Sequence, residues 1–197
     1  MAKGRRRLKN VALSYLMAEH TEYSIDYCYG QYCKANNMTD RLAALGLLAS
    51  SQYHARAIAL EDFYDRFHDD PLVLDKWFAL QAAAQRADVV DQVLQLEKHP
   101  DFTIANPNRL RSLAGQFGAN QWAFHSSDGR GYRFLADMIL AADRLNPQIA
   151  ARMAPAFGRW KRFEPKRAEM MKSELERIVG TSGLSKDVFE QVSKSLA

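Results

Sequence analysis

Apolar residues recur at intervals of three and four along nearly the whole chain, separated by short polar breaks, which is the pattern of successive amphipathic helices. Leu8, Val11, Ala12, Tyr15 and Leu16 place a first helix at about 5–18. His20-Thr21 breaks it, and a tyrosine-rich second helix follows at 22–35, closed by Asn36-Asn37. Thr39 or Asp40 starts a third, with Leu42, Leu45, Leu47 and Leu48 as its apolar side. After Ser50-Ser51 a fourth covers 53–67. Asp69-Asp70-Pro71 sets a capping acid before a proline whose φ suits a helix start, opening 72–84, and Asp88 heads 89–97. Asn106-Pro107 begins a short complete helix with Leu110, Leu113, Ala114 and Phe117 as its stripe and Gly118 as a left-handed stop. A single turn at 121–125, a long apolar helix at 132–145, and helices at 148–153, 166–179 and 186–196 complete the series, with Pro155 ending or bending the one before it.

No stretch alternates apolar and polar residues every second position with β-branched side chains, so the pattern predicts no strands. The expected fold is all-α: about twelve antiparallel helices stacked as a curved superhelical, armadillo- or HEAT-like array. No strict sequence repeat is present, so any repetition is structural and degenerate.

A chain of 197 residues with 47% hydrophobic and 25% charged residues is long enough and ordinary enough for a packed core. It has no apolar run long enough to span a bilayer and no signal-peptide pattern at its start, so no membrane partner and a cytoplasmic location are expected. Net charge is +4, most concentrated between Lys3 and Lys9. That run leads directly into a helical stripe and lacks interleaved aromatics, so nucleic acid is not the expected partner. Cys28 and Cys33 match neither a disulfide framework nor a zinc spacing and are expected to be reduced and partly buried.

The chemistry is sparse. His20, His54, His68, His99 and His125 form no His-Glu-x-x-His motif, Gly-x-Ser-x-Gly is absent, and neither cysteine has a histidine nearby in sequence. What stands out is Arg109 and Arg111 in the first turn after Asn106-Pro107, where cations oppose the positive end of the helix dipole. Either both are solvated or paired with carboxylates elsewhere, or they face an anion. The device recurs: Asn146-Pro147-Gln148 with Arg152 repeats the Asn cap, the proline, an amide and an arginine about a turn later. Side by side, the two starts would offer N–H groups, amides and guanidinium groups to one small anion such as a peptide carboxylate. Unrelated Asn-Pro starts would look the same.

The run 99–113, then Phe124-His125, Asp128-Gly129, Gly131-Tyr132 and Asn146-Pro147-Gln148-Ile149-Ala150, resembles the bacterial aminopeptidase N family of zinc metallopeptidases, specifically its C-terminal helical domain. Residues 36–45, Leu74 to Phe78 and Leu184 to Asp187 fit as well, and the resemblance extends over 4–197, leaving Met1-Ala2-Lys3 as an added start. It implies a cytoplasmic parent enzyme that removes N-terminal residues from peptides. It also implies that zinc is held by a separate catalytic domain carrying His-Glu-x-x-His, so this chain alone is expected to be inactive and without a cofactor. Its role would then be to cap the catalytic cleft, gate access and line the distal side of the substrate site. Arg109, Gln148 and Arg152 are similar to residues bounding the substrate beyond the scissile bond. The implied partners are the catalytic domain and the peptide substrate, and an exposed contact face would let the isolated chain self-associate. The alternative is a stand-alone helical-repeat module that binds a protein or an acidic partner.

Overall fold

The computed structural model describes residues 2–197; Met1, part of the expected added start, lies outside the described residues. Contacts within the chain cluster into two compact units, residues 1–86 and 87–197.

The first unit holds α1 (Ala2–Met17), α2 (Glu22–Lys34), α3 (Met38–Ala49), α4 (Ala55–Phe67) and α5 (Pro71–Ala82). α3 is its centre, packing on α1, α2, α4 and α5. Its sequence explains this: beyond Arg41 it carries no charge, and Ala44, Leu45, Leu48 and Ala49 are fully buried. Gly46 admits Leu80 so closely that an added Cβ would lie 3.1 Å from a leucine methyl. The starts are those the sequence marks. Thr21 and Ser24 form a reciprocal capping box, Asn37 accepts from the Asp40 N–H, and Asp70 accepts from the N–H groups of Leu72 and Val73 ahead of Pro71. His20, in the break between α1 and α2, takes a left-handed φ of 53° and offers its carbonyl to the Tyr53 hydroxyl at 3.0 Å.

Polar ties cross between these helices. Tyr32 donates to Asp62 at 2.6 Å, and Trp77 Nε1 donates to the Leu60 carbonyl at 2.9 Å. The densest tie is the buried Asp40 carboxylate, which receives Lys9, Asn10 and Asn37. Burial alone would raise its pKa, but the hydrogen bonds from Lys9, Asn37 and Asn10 outweigh that and hold it below the ordinary value. Since an unfolded Asp titrates at about 3.9, the carboxylate's contribution is complete above that value and is lost as pH falls through the lower folded one. Asp40→Asn is therefore expected to cost about 1–2 kcal/mol at pH 7 and progressively less below about pH 4. Urea unfolding of both proteins at pH 7 and pH 3 measures this; an equal difference at both values would contradict it.

The second unit holds α6 (Val89–Leu96), α7 (Pro107–Leu110), α8 (Gln116–Ala119), α9 (Arg130–Asp143), α10 (Pro147–Met153), α11 (Pro165–Val179) and α12 (Lys186–Leu196). Single 3-10 turns occupy Ala154–Phe157 and Trp160–Arg162. α9 packs on α10, α11 and α6 through Phe134, Leu135, Met138 and Ile139, and α12 packs on α10 and α11. Asp143 at the end of α9 accepts both the Ser185 backbone N–H at 2.9 Å and its hydroxyl at 2.5 Å, which fixes the start of α12. In both units helices meet partners one and two places along the chain, α1 on α3, α2 on α4, α3 on α5, α9 on α11 and α10 on α12, as in stacked helical repeats. No strand occurs among the described residues, in keeping with the all-α expectation.

Three local expectations need correction. Between α7 and α8, residues 111–115 form a π-helical turn in which the Gln116 N–H reaches back to the Arg111 carbonyl. Gly118 is not a left-handed stop. It is buried in α8, which is followed by Asn120 in extended conformation, and an added Cβ at Gly118 would lie 3.0 Å from Leu135. Of the two thiols, Cys28 is buried but Cys33 is exposed, because it lies on the outer side of α2; both are free.

Candidate functional site

The site lies in the second unit, where a cavity of about 590 Å³ opens beside the π-turn. Its first wall is Pro107 and Asn108 at the start of α7, followed by Arg111, Ala114 and Gly115 of the π-turn and Gly118 of α8. π-Turns recur at functional sites because they redirect side chains that a regular helix would leave aligned. The facing wall is Ile149, Arg152 and Met153 of α10, then Pro155, Ala156 and Arg159. Pro155 cannot continue the α-helical bonding, so the chain tightens into a 3-10 turn there and carries Arg159 round to the cavity rim. Leu135 of α9, His125 and Phe163 also line it, with Gln116, Ala119 and Gln121.

Electrostatically the cavity is one-sided. Arg111, Arg152 and Arg159 are all exposed, and no Asp or Glu lines it. Arg111 donates to Asn108 Oδ1 at 3.0 Å, so Asn108 orients one cation from the same wall. His125 adds no charge at neutral pH: burial and the nearby Arg167 both lower its pKa. Its ring stacks on Phe163 at 4.1 Å, its Nδ1 lies 3.0 Å from the Tyr132 hydroxyl, and its carbonyl accepts Arg167 Nε at 2.7 Å. Burial pushes the Tyr132 phenol up to about 12, so it keeps a proton to donate. A shallower groove beyond Phe163 and His125 leads past Gln121 to the exposed Trp122. The combination of guanidinium groups on a partly apolar floor suits an amphipathic anion such as a carboxylate attached to a short chain.

The three residues singled out in the sequence fall in different places. Arg152 borders the cavity. Gln148, one turn earlier on α10, is exposed and outside the lining. Arg109 is buried, only 5% exposed, and donates to the Asp101 carbonyl, which pins the turn ahead of α7. Arg111, which the resemblance does not assign to the substrate, and Arg159, which the sequence does not single out, join Arg152 instead. The N–H groups expected to face an anion are turned to other use. Asn106 Oδ1 accepts from Asn108 and Arg109, and Asn146 Oδ1 accepts from Ile149, so the caps satisfy their own helices. Charge at this cavity therefore comes from side chains rather than helix ends.

Among the described residues no group of three or more His, Cys, Asp or Glu could hold a metal ion, so the side chains present do not fit a zinc centre. Nor is any helix among them long and apolar enough to cross a membrane.

The chain is 41% identical over 194 residues, 98% of its length, to the C-terminal part of aminopeptidase N from Escherichia coli. It is 41% identical over 99% of its length to aminopeptidase N from Caulobacter vibrioides, and 42% identical over 97% to that of Haemophilus influenzae. These matches span 22–23% of the relatives, so the chain covers less than a quarter of their length. Its backbone is similar to part of the crystal structure of Legionella pneumophila aminopeptidase A in complex with aspartic acid, with a TM-score of 0.90 and 36% identity, covering 97% of this chain and 23% of that one. Residues 1–197 match, over their whole extent, the family described as a domain of unknown function (DUF3458_C) with ARM repeats, and the chain belongs to that family.

Proposed function

We propose that this chain is the C-terminal α-helical domain of a zinc aminopeptidase that removes N-terminal residues from peptides. It works against the catalytic domain of the same polypeptide, capping the cleft, gating access and lining the distal side of the substrate site. The observation that carries this reading is the identity of 41% across 98% of the chain to the C-terminal part of aminopeptidase N. The arginine-lined cavity supports it, because a peptide shortened from its N-terminus ends in a carboxylate that needs a cationic partner away from the scissile bond. Arg152 is the residue assigned to that end, with Gln148 one turn back on the same helix. Arg109, buried on the Asp101 carbonyl, acts by holding the start of α7. The zinc and the groups that act on the peptide bond belong to the catalytic domain, and no reaction step is assigned to residues of this chain. The exposed stripe Leu8, Val11 and Tyr15 on α1 supplies apolar surface for contact with the rest of the polypeptide.

In the full-length enzyme, Arg152→Ala is expected to lower kcat/KM for tripeptides about 10- to 100-fold, the value of one hydrogen-bonded charge pair, and to change single-residue arylamides far less. Steady-state kinetics on both substrate types measure it. Equal losses on both would remove Arg152 from the carboxylate side. Separately, the isolated chain should cleave no aminoacyl arylamide, and turnover that survives chelation and re-purification would refute the division of labour.

A further inference from the structure

The cavity holds more positive charge than one chain end neutralises. Several arginines of this unit are balanced by carboxylates: Arg130 meets Asp91 and Asp128, Arg167 meets Glu164, and Arg177 meets Asp137 and Glu174. Arg111, Arg152 and Arg159 make no such pair among the described residues, although they share one concavity. Gathering like charges in a concave site with apolar walls raises the local potential and favours an anion that carries more than one charge. A single C-terminal carboxylate can take one guanidinium fork face to face, which leaves donors on the other two unsatisfied.

We infer that the cavity selects peptides bearing an acidic side chain in addition to their C-terminal carboxylate, with Arg111 and Arg159 as specificity-determining residues beside Arg152. This rests on the aminopeptidase-domain reading above. Arg111 is already oriented by Asn108, so its remaining N–H groups are available without reorganising the π-turn. Arg159 approaches from the opposite wall, beyond Pro155. An acidic side chain near the chain end meets two walls of opposite charge, whereas its amide counterpart meets the same groups with no net charge–charge attraction.

The test compares Ala-Ala-Glu with Ala-Ala-Gln as substrates of the full-length enzyme that carries this chain. The two peptides share length, shape and chain end and differ by one charge. The Glu/Gln ratio of kcat/KM is expected to be about five to ten at low salt, falling toward one as salt screens these exposed groups. The double substitution Arg111→Gln with Arg159→Gln is expected to bring the ratio close to one, while Arg159→Lys keeps more of it than Arg159→Gln. Because each ratio is taken within one enzyme, a general loss of activity cancels. A ratio at or below one in the unsubstituted enzyme, or one that both substitutions leave untouched, overturns the inference. If Arg152→Ala weakens both tripeptides relative to an arylamide while the ratio stays at one, the domain reading stands and acidic selectivity falls. If Arg152→Ala affects tripeptides and arylamide alike, both fall together.

Discussion

Replacing Phe124 by alanine is expected to lower the unfolding free energy by about 3–5 kcal/mol, the cost of removing a fully buried aromatic ring from a packed interior. The ring has no solvent exposure and meets four others. Its centroid lies 5.9 Å from that of Phe117, 5.1 Å from Tyr132, 5.5 Å from Phe157 and 5.0 Å from His125, all steeply inclined. Phe117, Tyr132 and Phe157 come from α8, α9 and the 3-10 turn after α10, so one side chain joins elements separated in sequence. The edge-to-face contacts belong to the same cost, because a void left by the ring removes their counterpart on every side. Denaturant unfolding measures the loss as a lower midpoint at unchanged slope. Phe189→Ala on α12, where the side chain is 53% exposed, is the control and should cost much less. Comparable losses at both positions would show that Phe124 is not the keystone its contacts imply.

Gly131→Ala is the second large effect, and here two effects of opposite sign compete. Glycine in a helix costs about 1 kcal/mol relative to alanine, so propensity alone favours the substitution. However, a Cβ on Gly131 would lie 2.6 Å from the Phe124 carbonyl oxygen and 3.1 Å from Phe117. The carbonyl is backbone, and it cannot retreat freely because the next residue's carbonyl is held by Arg167 and its ring is stacked on Phe163. Overpacking of this kind costs about 1–3 kcal/mol, and against an unyielding backbone atom the upper half of that range applies, so the net change is expected to be destabilising by about 1–2 kcal/mol. Gly30→Ala on α2 isolates the propensity effect, since a Cβ there meets nothing within 4 Å, and should be stabilising by about 0.4–1 kcal/mol. Thermal or urea unfolding of the two variants should therefore shift in opposite directions; shifts of the same sign would contradict the steric account. The clash also bears on the site, because moving the Phe124 carbonyl displaces His125 on the cavity wall.

The helices were legible because their starts are written locally. Asp70, Asn106 and Asn146 each stand before a proline and each caps as its side-chain chemistry predicts. The π-turn was not legible, because Leu110, Leu113, Ala114 and Phe117 keep the spacing of a regular helix across it. Gly118 reads as a stop by composition, whereas it serves close packing against Leu135, a contact only the folded chain defines. The lining of the cavity was legible in part. Arg152 follows from a recognisable helix start, but the direction in which Arg109 and Arg111 point depends on what surrounds α7. Burial draws Arg109 onto the Asp101 carbonyl and leaves Arg111 at the cavity. Arg159 lies in irregular backbone between two 3-10 turns, where no periodicity assigns a face.

With the Gln116 N–H bonded five residues back to Arg111, the helical run 107–119 carries one residue more than a regular helix of equal rise. That surplus is absorbed within a single widened turn, so the segments on either side keep the rotational phase they would have without it. Residues 111–115 are thus a place where the chain can shorten by one residue and still present Leu110 and Phe117 to the interior. The same loss within α9 would turn everything beyond it by about 100°. Within the helical runs a change of length by one residue is accordingly cheaper at the cavity wall than inside α9, so the shape of the cavity can change by a single residue while the packing behind it is kept.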